Sequence, residues 1–136
     1  MAEKLFVEIL TPSGVVFEGE ADDVIAPGEL GEFNLLPEHT LFLTNLNFGK
    51  MSYLKDGQRE LLVISGGVAE VVDNRVAILA DYVEKPEEID LDRAKAAFKR
   101  AEERIGMVGR EDIEFERAAT ALYRALVRIE IAGKTE

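Results

Sequence analysis

The sequence predicts an all-β N-terminal region over residues 1–85, followed by an antiparallel pair of helices over residues 86–136. Three observations support this division. Short apolar runs separated by turn residues fill the first region, the apolar period lengthens after Pro86, and two glycines split the helical region. Short strands that recur at roughly 8–12 residue spacing are typical of an antiparallel sandwich or barrel.

The apolar runs of the first region are rich in Val, Ile, Leu and Phe, as expected for strands. They read LFVEIL, GVVFEG, ADDVIA, GEFNLL, TLFLTNL, KMSYL, ELLVIS, GVAEVV and RVAILA. Turn residues separate them at 11–14, 27–28, 56–57, 66–67 and 73–74. The Asp-Gly pair in KDGQ favours a tight hairpin, because this pair tolerates the positive φ that such turns need.

After Pro86 the apolar residues recur at steps of three and four, which is typical of amphipathic helices. The two series are Leu91, Ala94, Phe98, Ala101 and Ile105, and Phe115, Ala118, Leu122, Ala125 and Ile129. Asp90 and Asp112 precede the two series and are the expected N-caps, while Gly106 and Gly109 separate the helices. A short loop between them predicts an antiparallel hairpin with thin, alanine-rich seams.

The composition excludes several kinds of chemistry. The 136 residues carry a net charge of -11 and contain no cysteine. A deficit of Lys and Arg argues against nucleic acid binding. Without cysteine there is no disulfide, thiolate metal site or cysteine nucleophile. No apolar run reaches the roughly 18 residues of a membrane span, and the first ten residues carry charges, so we expect a cytoplasmic protein without a signal peptide.

Arginines are concentrated in the helical region, where they occupy one predicted edge. Each of five arginines directly precedes a residue of one of the two apolar series. In an antiparallel pair of helices, residues that are displaced in the same direction from the seam lie on the same lateral side. This arginine edge consists of Arg93, Arg100, Arg117, Arg124 and Arg128. Ala97 and Ala121 lie between the arginines and are small enough to leave a shallow depression.

The pattern leaves two interpretations of the arginine edge open. Guanidinium groups bind phosphate oxygens through paired hydrogen bonds and stack on bases, so a phosphorylated planar ligand fits. Charged helix faces are most often solvated, however, and Glu103, Glu114 and Glu116 offer partners for exposed ion pairs. The chain has no Gly-rich phosphate loop and no carboxylate pair placed for Mg²⁺, so we assign no catalytic or metal-binding residue and expect no hydrolysis.

His39 is the only histidine. A lone histidine without Asp, Cys or a second His nearby is a poor candidate for catalysis or metal binding. The residues themselves favour a histidine that caps or hydrogen-bonds a loop, and a small enzyme built on His39 has no supporting acid or nucleophile.

Taken together, three segments resemble the epsilon subunit of the F-type ATP synthase. They are TPSGVVFEGEADDVIAPGELGEFNLLPEHTLFLTNL, VISGGVAEVVDNRVAILAD and IDLDRA, and the likeness extends over nearly the whole chain. The resemblance implies an N-terminal β-sandwich of about ten strands followed by a C-terminal antiparallel two-helix hairpin. It also implies a non-catalytic subunit of the central stalk, bound peripherally at the cytoplasmic face of the membrane.

The resemblance further implies partners. The sandwich over residues 1–85 is expected to dock on the gamma subunit and on the membrane c-subunit ring through Glu32, His39, Leu41 and Phe42. The hairpin over residues 86–136 is expected to reach the catalytic alpha and beta subunits and to inhibit ATP hydrolysis when extended. The resemblance thus implies a subunit that couples proton translocation to ATP synthesis.

The loop before His39 departs from the family pattern at two positions. Asn34 and Glu38 stand where the family commonly has glycine. Asparagine tolerates the left-handed conformation, so a turn at Asn34 is expected to survive. Glutamate does not tolerate this conformation as well as glycine or asparagine. At Glu38, therefore, either the turn differs from that of the family or the family's glycine is not essential for it.

Some bacterial members of the family bind ATP at a site opened by Ile/Leu-Asp-x-x-Arg-Ala. This chain has the motif, with Ile89, Asp90 and Arg93. The resemblance adds Glu84 and the arginines at the family's remaining ATP-contacting positions, Arg100, Arg124 and Arg128. The four arginines are expected to hold phosphates, while Glu84 and Asp90 accept hydrogen bonds from amino or ribose groups.

ATP is therefore expected as a regulatory ligand of the folded hairpin, and no cofactor is required. The alternative is a free-standing nucleotide-binding sensor without a role in assembly. An exposed loop from Glu32 to Leu43 and an apolar sandwich face that needs a partner argue against this alternative.

Overall fold

Two units make up the chain, residues 1–84 and residues 85–136. The computed structural model describes residues 3–38 and 41–133. In these residues the predicted all-β N-terminal sandwich and C-terminal helix pair are confirmed.

Ten strands lie in the described part of the first unit. They are β1 (Leu5–Thr11), β2 (Gly14–Ala21), β3 (Asp23–Gly28), β4 (Gly31–Leu35), β5 (Phe42–Leu46), β6 (Gly49–Lys55), β7 (Gln58–Ile64), β8 (Gly67–Val72), β9 (Arg75–Leu79) and β10 (Val83–Glu84). Their order is β10-β7-β6-β3-β5-β8-β9-β1-β2, with β4 paired to β3. The strands pair antiparallel, apart from the parallel pair of β1 and β9.

Tight two-residue turns set the register of two hairpins. Asp56 and Gly57 have φ of 52° and 78° and join β6 to β7. Asp73 and Asn74 have φ of 47° and 63° and join β8 to β9. Positive φ at both central residues matches the twist of the flanking strands, and Asp, Asn and Gly adopt it most easily.

The core of the sandwich is built by side chains that alternate along the strands. In β1, Leu5, Val7 and Ile9 are buried and the residues between them are only half-buried. At the margin of the core the rings of Phe17 and Tyr53 stack with their centroids 4.2 Å apart. Burial, followed by the nearby Glu60 carboxylate, raises the pKa of the Tyr53 hydroxyl.

One polar network crosses β3, β6 and β7. Asp23 is almost fully buried, and its Oδ2 lies 2.7 Å from Nη2 of Arg59. Arg59 also donates through Nη1 to the Ser52 hydroxyl at 2.9 Å. Asp23 Oδ1 has no hydrogen-bond partner within the described residues. Arg59 is thus the cation that balances a buried carboxylate.

The second unit contains a 3₁₀ turn, Pro86–Glu88, and two helices, α1 (Leu91–Met107) and α2 (Ile113–Gly133). Both predicted N-caps are confirmed. Asp90 Oδ1 accepts the N–H of Arg93 at 3.1 Å, and Asp112 Oδ1 accepts the N–H of Glu114 at 2.9 Å. Each cap satisfies a donor that the first turn of a helix leaves unpaired.

The predicted seams of the two helices are confirmed. The fully buried positions are the alanines Ala94, Ala101, Ala118 and Ala125, and the larger seam residues are half-buried. Three further residues of α2 are buried outside the predicted series, namely Val127, Ile131 and Ala132.

Candidate functional site

The tip of the β3–β4 hairpin exposes a leucine between two acidic residues. Leu30 is 100% exposed, and Glu29 and Glu32 flank it. Asn45 fixes the tip, since its carbonyl accepts the Glu29 N–H at 2.9 Å and its Nδ2 donates to Glu29 Oε2 at 3.1 Å. A fully exposed leucine on a braced hairpin is typical of a contact surface.

Neither Glu29 nor Leu30 was predicted as a contact residue. The signal that marks them in the sequence is the Gly28-Glu29-Leu30-Gly31 turn, which places an apolar side chain where a polar one is usual. Glu32, which was predicted, is exposed on β4 opposite Pro27.

Leu41 and Leu43 form an outer leucine surface with Val72. Leu41 is 77% exposed and Leu43 is 70% exposed. Phe42 pairs with Val71, so the residues on either side of this pair share the opposite face of the sheet. The outer leucine surface therefore extends across β5 and β8.

Phe42 occupies the other face of β5. It is half-buried and packs against the core, where its ring meets Phe33 edge to face with centroids 5.2 Å apart. Its role in partner binding remains a prediction. Leu43 ends the exposed loop expected from Glu32 to Leu43 but was not singled out as a contact residue. It takes the outward position that the alternation of a strand gives to both neighbours of Phe42.

The loop between β4 and β5 contains the two departures from the family pattern. Asn34 lies within β4, paired with Ile25, and its φ is not positive, so the expected turn at Asn34 is wrong. Glu38 adopts φ of 68°, which is the left-handed conformation that favours glycine. The predicted contact residue His39 lies outside the described residues.

On the helices, four of the five edge arginines are exposed and Arg128 is half-buried. Among the described residues no ion pair engages the guanidinium groups of Arg93 and Arg100. Arg117 donates through Nη1 to Glu114 Oε1 at 3.1 Å, which is one of the exposed pairs expected from the sequence.

A groove of about 450 Å³ lies along α2. Its lining residues are Ile113, Glu116, Arg117, Thr120, Ala121 and Arg124. Arg117 and Arg124 therefore flank Ala121 as predicted. The α1 residues Arg93, Ala97 and Arg100 are not among the lining residues of this groove.

The remaining predicted ATP ligands have structural roles of their own. Asp90 caps α1. Ile89 is half-buried, and its N–H donates to the carbonyl of Pro86 at 3.2 Å. Glu84 lies in β10 and pairs with Val63, so it belongs to the first unit of the chain.

Residues 3–38 and 41–133 contain neither a metal-binding cluster nor a membrane-spanning helix. No group of three or more His, Cys, Asp or Glu side chains is arranged to hold a metal ion. No helix in this part of the chain combines the length and apolar character needed to cross a membrane.

Comparison with known proteins identifies the family. Residues 4–86 match the beta-sandwich domain of the ATP synthase delta/epsilon chain, and residues 87–133 match its long alpha-helix domain. The ATP synthase epsilon chain of Geotalea daltonii is 47% identical over 99% of this chain and 98% of its own length. The chain belongs to the ATP synthase epsilon-chain family. The epsilon chain of Geobacter sulfurreducens is 44% identical over 98% of this chain and 97% of its own length.

Solved structures show the same fold. A chain of the Euglena gracilis mitochondrial ATP synthase aligns with a TM-score of 0.79 at 21% identity, covering 95% of this chain and 81% of its own. A central-stalk and c-ring structure from Tetrahymena thermophila aligns with a TM-score of 0.62 at 13% identity over 98% and 97%. The epsilon chain is a non-catalytic subunit of the ATP synthase complex, so the predicted absence of an enzymatic role is confirmed by family membership.

Proposed function

We propose that this chain is a rotor subunit of the central stalk, held by the gamma subunit and the c-subunit ring at the cytoplasmic face of the membrane. In this position it couples proton translocation to ATP synthesis. The observation that carries the proposal is the outer leucine surface, because large apolar side chains exposed side by side on a rigid sheet are typical of protein interfaces.

The hairpin tip supplies the second contact. Leu30 is fully exposed, and the neighbouring Glu29 and Glu32 carboxylates suit a partner loop that carries basic side chains. Asn45 fixes the position of Glu29, which reduces the entropy lost when a partner binds. We assign the tip to the c-subunit ring and the outer leucine surface to the gamma subunit.

Replacing Leu41 and Leu43 together by serine is expected to weaken binding to the cognate gamma subunit at least about tenfold, because buried interface leucines contribute through apolar burial. Both side chains are exposed in this structure, so the fold is expected to tolerate the change. Titration calorimetry measures the affinity. Val15→Ser on β2 is the matched control, since Val15 is also an exposed apolar residue of the sheet. An equal loss in both variants would contradict the assigned surface.

The hairpin is proposed to sense ATP. Arg93, Arg100, Arg124 and Arg128 provide guanidinium groups for the phosphates, and Asp90 provides an acceptor for the amino or ribose groups. Exposed guanidinium groups at Arg93 and Arg100, and the groove between Arg117 and Arg124, support this proposal. The Asp90 cap presents one carboxylate oxygen to Arg93 N–H, and a carboxylate has further lone pairs for a ligand.

Regulation follows from the thin seam of the hairpin. The fully buried residues of the predicted seams are alanines, which bury little apolar area, so these seams contribute only modestly to the stability of the folded hairpin. ATP that binds the folded state better than the extended state shifts the equilibrium toward the folded state. The extended state is proposed to insert into the catalytic head and to block ATP hydrolysis.

Arg93→Ala is expected to weaken ATP binding about tenfold, which corresponds to one hydrogen bond to a charged group. Lys95→Ala is the matched control. Arg93 directly precedes the seam residue Ala94, whereas Lys95 directly follows it. The two cations therefore lie on opposite lateral sides of the seam. Isothermal titration of ATP into the full-length variants measures the difference. Absence of binding by the parent chain, or an equal effect of the two substitutions, would overturn the site.

A further inference from the structure

Arg75, the first residue of β9, pairs directly with Val72 of the outer leucine surface. Residues that pair across neighbouring antiparallel strands project their side chains from the same face of the sheet, with Cβ atoms about 4.5–5.5 Å apart. The Arg75 side chain therefore borders the outer leucine surface. It is 64% exposed, so a partner that covers Val72 also reaches the guanidinium group.

Two contacts hold this guanidinium group in one orientation. Its central carbon lies 4.7 Å from the centroid of the Phe6 ring, and its Nη2 donates to Glu8 Oε1 at 3.1 Å. A guanidinium group has five N–H donors. Beyond these two contacts, the Arg75 side chain interacts with no other residue in the described part of the chain. Most of its donors are thus available to a partner, on a side chain whose orientation is already restricted.

The charges around Arg75 indicate which acceptor a partner presents. Within the described strands β1, β2, β5, β8 and β9, Arg75 is the only lysine or arginine. Several glutamates share its face of the sheet, namely Glu8, Glu18, Glu20 and Glu70. A partner carboxylate would be repelled by these glutamates, and Glu8 already balances the charge of Arg75. A neutral oxygen, such as that of a backbone carbonyl or a side-chain amide, accepts from the guanidinium group without this repulsion.

We propose that Arg75 is a specificity-determining residue of the outer leucine surface: it donates hydrogen bonds to neutral oxygen atoms of the gamma subunit that lie beside the apolar residues covering Val72. This inference rests on the proposed function, which assigns the surface to the gamma subunit. Arginine is enriched among the residues that dominate interface affinity, and a restricted side chain loses less conformational freedom on binding. A partner that covers the surface without an acceptor leaves buried donors unpaired and binds more weakly.

Arg75→Met removes the donors and retains most of the apolar stem. The variant is expected to bind the cognate gamma subunit about tenfold more weakly, as for the loss of one hydrogen bond from a charged donor. The fold is expected to tolerate the change, because the ion pair with Glu8 is exposed. Titration calorimetry with the full chain measures the affinity.

Lys55→Met is the matched control for this measurement. Lys55 also lies over a phenylalanine ring, with Nζ 6.0 Å from the centroid of Phe17. It ends β6, however, which carries no residue of the outer leucine surface. Lys55→Met is therefore expected to leave the affinity for the gamma subunit unchanged.

Arg75→Lys and the ionic strength test the chemistry of the contact. Lysine keeps the charge but lacks the planar fork, so Arg75→Lys is expected to bind more weakly than the parent. The ratio of the dissociation constants of Arg75→Met and the parent is expected to be equal at low and high ionic strength, because salt screens exposed charge pairs and not a hydrogen bond to a neutral oxygen. A ratio that falls as the ionic strength rises would overturn the neutral acceptor and indicate a partner carboxylate.

The outcomes distinguish the inference from the function on which it rests. If the parent chain does not bind the gamma subunit, the proposed function fails and the role of Arg75 fails with it. If replacing Leu41 and Leu43 by serine weakens binding and Arg75→Met does not, the proposed function stands and the role of Arg75 is overturned. Equal losses in Arg75→Met and Lys55→Met, or binding by Arg75→Lys that equals that of the parent, would overturn it as well, since positive charge alone would then explain the affinity.

Discussion

Gly67→Ala is expected to destabilise the sandwich by about 4 kcal/mol or more, which is at the upper end for single substitutions. Gly67 begins β8 with φ of +128°, and a Cβ at this position would overlap the backbone carbonyl oxygen of Leu79. That oxygen belongs to β9, where Leu79 pairs with Val68. Relief of the overlap therefore requires the β8–β9 ladder to separate at this end, because the overlapping atoms are backbone and not the end of a flexible side chain.

Gly14→Ala is the matched control for this prediction. Gly14 has φ of +129°, almost the same as Gly67, but a Cβ there meets nothing within 4 Å. Gly14→Ala is expected to cost only the backbone strain, about 1–2 kcal/mol. Urea unfolding monitored by the near-ultraviolet circular dichroism of the stacked Phe17 and Tyr53 rings compares the two variants. If both lose the same free energy of unfolding, the overlap with Leu79 is not the cause.

Features that depend on neighbouring residues could be predicted from the sequence. The Asp56–Gly57 hairpin follows from a dipeptide that tolerates positive φ, and the caps at Asp90 and Asp112 follow from side chains that accept an N–H within the next turn. The helical seams follow from the period alone, since the buried alanines recur every seven residues.

Features that depend on distant pairing could not be predicted in this way. The parallel pairing of β1 with β9 joins Val7 to Val76, and no local pattern distinguishes it from an antiparallel pair. Asn34 illustrates the same limit. Its tolerance of the left-handed conformation predicts a turn, but pairing with Ile25 in the ladder keeps it extended.

The same distinction between local pattern and distant pairing applies to the residues of the candidate site. Leu41 could be predicted as exposed, whereas the phase of β5 depends on the pairing of Phe42 with Val71, so the outward position of Leu43 becomes clear only in the sheet. On the helices, the lateral side of Arg117 and Arg124 could be predicted from the seam. The ion pair between Arg117 and Glu114 depends on side-chain rotamers, which the spacing does not specify.

Arg59→Met is expected to destabilise the sandwich by about 3 kcal/mol, because it leaves the Asp23 carboxylate buried without a cation. The Asp23 side chain is only 12% exposed, and Arg59 provides its ion pair at 2.7 Å. The other carboxylate oxygen, Asp23 Oδ1, has no hydrogen-bond partner in the described residues, so nothing there would compensate for the loss of Arg59. The value is placed at the low end for broken buried pairs, since the Arg59 side chain is 34% exposed.

Arg75→Met is the matched control, because the pair of Arg75 with Glu8 is also formed across strands but its side chains are 64% and 31% exposed. Its loss is expected to cost about 1 kcal/mol or less. Adding Asp23→Asn to Arg59→Met is expected to restore at least about 1 kcal/mol, since a neutral amide is less costly to bury than an unpaired carboxylate. Methionine retains most of the apolar stem of arginine, so lost packing cannot produce this restoration. Urea unfolding midpoints of the three variants measure these changes in stability. If the double variant shows no recovery, the destabilisation by Arg59→Met arises from lost packing and not from the buried charge.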